Sequence, residues 1–180
     1  MQLSSCSLVH FVDYHACAVV AVAVSAASVL TMSNPVSGVT SLGNDLYVIV
    51  YGIRGIEVYD SVTFAFRRSI IVPGFGFLGS LSGCPVNNCL YALAVSEVFG
   101  DKVYKVELAD CSNSTLEWSV GRHPTGLSVN FAHNLLVVSQ GDHKLQEFTT
   151  RGTLIRKTLL PRKIQRPWQA VELPGGQFLI

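Results

Sequence analysis

Charge is scarce in this sequence. Asp, Glu, Lys and Arg make up 14% of its 180 residues and leave a net charge of +1, so no overall field draws the chain to nucleic acid or acidic lipid. Any such attraction has to come from where the few charges cluster. Cysteine occurs at five positions (6, 17, 84, 89 and 111) with no Cys-x-x-Cys pair, which excludes the usual zinc modules and a complete disulfide framework. No Ser-His-Asp or Cys-His arrangement has the spacing of a nucleophilic site, and Gly74-Phe75-Gly76 does not open a helix, so it is no phosphate loop. Disorder is excluded from the other direction, because 49% of the residues are hydrophobic.

The absence of charge is complete between Asp13 and Asp45, and Ala16 to Met32 is almost wholly apolar or small. These 17 residues fall short of the roughly 20 of a bilayer-spanning helix. No Lys or Arg precedes them, against a signal peptide, although Ser25-Ala26-Ala27 has the small residues of a cleavage site. Three readings of residues 1–34 stay open: a signal or membrane anchor through residues 16–32, a buried strand or helix, or a leader ahead of the folded part. The compartment stays open with them, and the intracellular reading is preferred.

What is abundant is repetition. Apolar runs begin at Leu46, Leu90, Leu135 and Phe178, spacings of 44, 45 and 43 residues. Each follows a short sequence rich in Gly or Asn, residues that tolerate positive φ and so suit a tight hairpin turn. After each of the first three comes an alternating run, Ile56 to Tyr59, Val103 to Val106 and Leu145 to Phe148. A further set follows at Arg67 to Val72, Thr115 to Val120 and Leu154 to Leu160. Four short strands in about 44 residues are one blade of a β-propeller. The predicted fold is all-β, a partial β-propeller of four-stranded antiparallel blades behind an apolar N-terminal segment. Its units are 35–74, 75–121, 122–163 and an incomplete 164–180.

The stretch "HPTGLSV…NLLVVSQGDHKLQEFTTRGTLIRKTL" has a Pro-x-Gly-apolar opening, a central apolar strand, a Gly-containing loop and an apolar-x-x-aromatic strand. In these features it resembles the NHL-repeat β-propellers, whereas the WD type is disfavoured because no Trp-Asp dipeptide occurs. About three and a third such units do not make a ring of the usual four to eight blades. The expectation is a fragment whose remaining blades come from a longer chain or from self-association. The resemblance implies binding modules for protein or single-stranded RNA, and also lactonase and lyase relatives that hold a metal on inner strands. Here the inner strands carry Glu172 as their one ionisable side chain, too little for a metal cage or an acid–base pair. No enzyme, cofactor or metal is expected.

Propeller connectivity sorts the loops to two ends of the blades. His133 falls in an inner hairpin turn, whereas His123 and His143 fall in loops of the other end, so three histidines ten residues apart do not converge on a metal. The His123 and His143 end also carries Arg54, Lys102, Arg122, Lys144, Arg162, Lys163 and Arg166 against Glu97, Asp101 and Asp142. The opposite end carries Arg151 against Asp45, Asp60 and Asp110. Phe75, Phe77, Phe99 and Trp168 lie among the basic residues, and aromatics interleaved with Arg suit an anionic peptide or stacked bases. The predicted function is a non-catalytic scaffold that binds a partner, protein first and single-stranded RNA second, through this face. The alternative is a secreted or membrane-tethered propeller fragment, one of whose sources is an enzyme with its catalytic residues elsewhere. Two features fit secretion: Cys84 and Cys89 flank a turn short enough for a disulfide, and Asn113 heads a glycosylation sequon.

Overall fold

The computed structural model describes residues 30, 32, 34–50, 55–72, 77–96, 99–108 and 115–180. Most of the N-terminal segment, Arg54, Phe75 and Asn113 lie outside these residues, as does the Phe77 side chain. Among the described residues there is no helix. The first sheet contains β1 (Val36–Leu42), β2 (Asp45–Val50), β3 (Gly55–Asp60) and β4 (Phe66–Ile71). The second contains β5 (Phe77–Cys84), β6 (Cys89–Val95), β7 (Lys102–Glu107) and β8 (Thr115–Ser119). The third contains β9 (Pro124–Val129), β10 (Leu135–Ser139), β11 (Lys144–Phe148) and β12 (Leu154–Leu159). A two-stranded unit, β13 (Val171–Leu173) and β14 (Gln177–Leu179), follows.

Within each sheet the strands lie in chain order and pair antiparallel. The first hairpin shows how sequence sets the register. Gly43 takes φ +60, a conformation that costs a residue without Cβ nothing, and the two-residue turn brings Leu42 opposite Asp45. Asp45 then faces Asp60 across β2 and β3. Two carboxylates in that position repel, and Arg67 resolves the conflict by reaching both, Asp45 at 2.5 Å. The backbone N–H groups of Thr63 and Val62, and then Arg67, hold the Asp60 carboxyl far below the ordinary carboxylate range. Asp45 and Asp60 are thereby spent on Arg67 and the turn.

Alternation along each strand gives every sheet two apolar faces. Tyr47, Ile49, Ile56 and Val58 of the first sheet meet Leu81, Leu90, Ala92 and Val106 of the second. The other face of the second sheet, with Tyr91, Leu93 and Val103, meets Leu127, Leu135, Val137 and Phe148 of the third. Leu136, Val138 and Leu145 continue the series against Ala170 and Phe178 of the two-stranded unit. The other face of the first sheet holds Leu46, Val48, Val50 and Tyr59, and Leu30, Met32, Val36, Val39 and Phe64 pack against them. Stacked four-stranded antiparallel sheets of this kind are propeller blades.

Short hydroxyl side chains tie neighbouring inner strands. Thr40 Oγ1 accepts the Gly83 N–H at 3.0 Å, Ser80 Oγ accepts the Leu127 N–H at 3.4 Å and Thr125 Oγ1 donates to Pro167 O at 2.8 Å. Approach is closest at Gly126, where a Cβ would lie 2.3 Å from Trp168 O and 3.2 Å from Gln169 Cα. Gly126→Ala should therefore push the last unit off the third sheet at a cost of about 1–3 kcal/mol. A urea unfolding curve read by tryptophan fluorescence measures that cost, and an unchanged midpoint would count against the close contact.

Candidate binding face

The loops at the His123 end form a connected polar layer. Asp101 receives the Ser96 N–H at 3.1 Å on one oxygen and the His123 N–H at 2.9 Å on the other. Asp142 receives the Arg122 N–H at 3.1 Å, with the Arg122 guanidinium 3.6 Å away and the Lys144 ammonium in contact. Gln146 Oε1 accepts the Gly121 N–H at 3.1 Å. The segment 121–123 is thus clamped between two loops. Lys144 first, and the Arg122 N–H second, hold the Asp142 carboxyl below its ordinary range.

This wiring separates the basic residues that sequence position had grouped together. Lys144 opens β11 and is buried with 8% of its surface exposed, so it serves Asp142 and offers little to a partner. Lys102 is engaged with Glu117 at 2.5 Å. Arg122 keeps 82% of its side chain in solvent while leaning on Asp142. Arg162, Lys163 and Arg166 are exposed and, among the described residues, have no ion-pair partner. All three belong to the segment joining β12 to β13.

The histidines answer to backbone geometry. His123, His133 and His143 have φ values of 48, 62 and 51, a left-handed conformation in which His is enriched several-fold. His133 N–H donates to Asn130 O at 2.9 Å inside the inner turn. His123 O accepts the Gln140 N–H at 3.0 Å, while His143 O accepts the Leu160 N–H at 3.0 Å and its Nε2 lies 3.2 Å from Pro161 O. Their regular spacing reflects the turns they build. Among the described residues no three His, Cys, Asp or Glu side chains assemble into a metal-binding group.

Cys84 and Cys89 sit directly opposite each other in the β5–β6 register as buried free thiols. Burial raises the Cys89 thiol to about 11. Glu172 accepts the Phe131 N–H at 2.8 Å and so links the third sheet to the last unit.

A recess of about 370 Å³ is lined by one of these cations, Arg166. Arg166, Trp168, Val171, Leu179 and Ile180 line it together with Ile164, Gln165, Pro167 and Gln169. Sequence position had flagged Arg166 and Trp168. The apolar wall of Val171, Leu179 and Ile180 was missed, because alternating apolar residues in a short strand look the same whether or not a neighbouring sheet covers them.

No protein-family model matches the sequence, and no curated protein does. Solved structures do. Virginiamycin B lyase from Staphylococcus aureus, in a catalytically inactive variant solved with quinupristin, superposes with a TM-score of 0.66 at 18% identity. The match covers 84% of this chain and 51% of the lyase. A Bacteroides caccae protein of unknown function matches with a TM-score of 0.58 at 14% identity, over 84% of this chain and 54% of its own. The nidogen/laminin complex matches with a TM-score of 0.58 at 13% identity, over 71% of this chain and 47% of the matched one. These likenesses establish a β-propeller fold, and the chain spans about half the length of the structures it matches.

Proposed function

We propose that the chain is a non-catalytic binding module, an NHL-like propeller segment that engages an acidic protein partner through the 161–168 segment. The observation that carries this reading is the set of three exposed cations in one loop segment, Arg162, Lys163 and Arg166, that have no ion-pair partner among the described residues. Every other basic residue described on that face has a carboxylate partner. A partner's carboxylates would meet cations that need not first abandon an internal ion pair.

Fluorescence anisotropy with a glutamate-rich peptide tests the reading. Replacing Arg162, Lys163 and Arg166 together by Ala should weaken binding on the order of tenfold, whereas Arg151→Ala with Lys157→Ala should leave it unchanged. Equal losses in the two variants would remove the segment from the account. Single-stranded RNA is the competing ligand. If it bound instead, with a log-log salt slope of about −0.7 per phosphate neutralised and a cost of roughly 1–3 kcal/mol for Trp168→Ala, the partner would be RNA.

A further inference from the structure

We propose that the partner contributes an extended strand that adds antiparallel to the outer edge of β12, with its acidic N-terminal flank over Arg162, Lys163 and Arg166. This rests on the reading of the 161–168 segment as the contact for an acidic protein. β12 is the outermost strand of the third sheet, and among the described residues it pairs with β11 alone. Sheets join the stack through their faces, as the second and third do, so that packing leaves this edge uncovered however many sheets the stack contains. The outward N–H and C=O groups of an edge strand are a template for strand addition.

Register identifies the groups involved. The Leu160 N–H donates to His143 O at 3.0 Å, and Leu159, Thr158, Lys157 and Arg156 face Lys144, Leu145, Gln146 and Glu147 in unbroken order. Alternate residues of an antiparallel strand turn their backbone groups to opposite sides. Thr158 and Arg156 therefore bond towards β11 as Leu160 does, while Leu159 and Lys157 turn their N–H and C=O outward.

β4, β8 and β12 are all outer strands, and charge singles out the last. Beside β4, Asp45 and Asp60 hold Arg67, and β8 carries Glu117 and no cation. From Phe148 to Val171 there is no Asp or Glu, yet Arg151, Arg156, Lys157, Arg162, Lys163 and Arg166 all fall there. Of these six, Arg156 alone has a carboxylate partner among the described residues, Glu147. All of β12 is exposed, Leu159 at 74%. A second copy pairing β12 with β12 would set these cations against one another, and like charges facing across a strand pair are destabilising. An acidic segment meets the opposite condition.

Polarity follows from direction. β12 runs from Leu154 to Leu159 and leads into the 161–168 segment. An antiparallel partner begins beside that segment and runs away from it, which puts its acidic first residues at the cations and its neutral ones along the edge.

The test uses the 180-residue chain and two peptides of one composition, alternating valine and threonine with a run of glutamate at either the N-terminus or the C-terminus. The first should bind and slow hydrogen exchange at the Lys157 and Leu159 amides, while those of Arg156 and Thr158, already bonded to β11, change little. The second should bind more weakly, and equal binding would overturn the antiparallel direction. Lys157→Ala should bind the first peptide as the wild type does. Lys157→Pro removes an outward donor at an edge position that tolerates Pro and should bind it about tenfold more weakly. Bound peptide with no added protection at Lys157 and Leu159 would overturn strand addition while leaving the basic contact standing. Protection that survives Ala at Arg162, Lys163 and Arg166 would instead overturn the acidic contact, and with it the proposed polarity. Protection already present without peptide would assign the edge to a second copy if the chain sediments as a dimer, or to the chain itself if it is a monomer, and would overturn the proposal.

Discussion

Leu93→Ala should lower the free energy of unfolding by about 2–5 kcal/mol, and Leu90→Ala by a similar amount, yet the two should loosen different seams. Both side chains are fully buried on β6. Three residues apart on a strand, they point to opposite faces. Leu93 joins Leu127, Leu135 and Phe148 between the second and third sheets, and Leu90 joins Ile56 and Val58 between the first and second. In a stack whose units touch only their neighbours, stability is a sum of unit and interface contributions. Hydrogen exchange should therefore quicken in β9–β12 for Leu93→Ala and in β1–β4 for Leu90→Ala. A uniform loss of protection in both variants would show that the sheets unfold as one body.

Asp142→Ala should cost about 2–3 kcal/mol. Removing one partner of a fully enclosed ion pair costs 3–5 kcal/mol, because the other charge is left without compensation. The value here is discounted, since 24% of the Asp142 side chain meets solvent. The variant strands the Lys144 ammonium and releases the Arg122 N–H together. The pH dependence has a definite sign. The Asp142 carboxyl is held below its ordinary range in the folded chain, so its contribution is fully present above the unfolded value near 4 and disappears as pH falls through the folded one. Denaturation curves should show the wild-type advantage over Asp142→Ala shrinking in acid. An advantage that failed to shrink in acid, or was absent at neutral pH, would contradict the clamp.

The architecture was legible because it depends on local signals repeated at a fixed interval. Gly43, Asn88, His133 and Gly176 all take positive φ in the turns that sequence assigned to inner hairpins, and the apolar runs after them became β2, β6, β10 and β14. The candidate binding face was legible only in outline. Loop position correctly put Lys144 at the end that carries Arg162 and Arg166, but whether a lysine is available depends on register. As the first residue of β11, Lys144 pairs with Leu159 and is folded in beside Asp142. A sequence records both residues without recording that they spend their charges on each other. The recess failed to show for a related reason: the exposure of Leu179 depends on what packs against its sheet, which alternation alone does not record.

Leu30 and Met32 on the first sheet give the stack a direction in time. A chain leaves the ribosome from its N-terminus, and domains settle in that order. Leu30 and Met32, two of the residues packed on that face, are made before the first sheet. Each later sheet then seals the one ahead of it, as Leu127 and Leu135 do for Leu93. Growth therefore exposes one new apolar surface at a time, always at the most recent unit, and the amount of sticky surface stays constant however many units are appended. An array in which each sheet packs on the one before it can be lengthened during synthesis without becoming progressively more prone to aggregate.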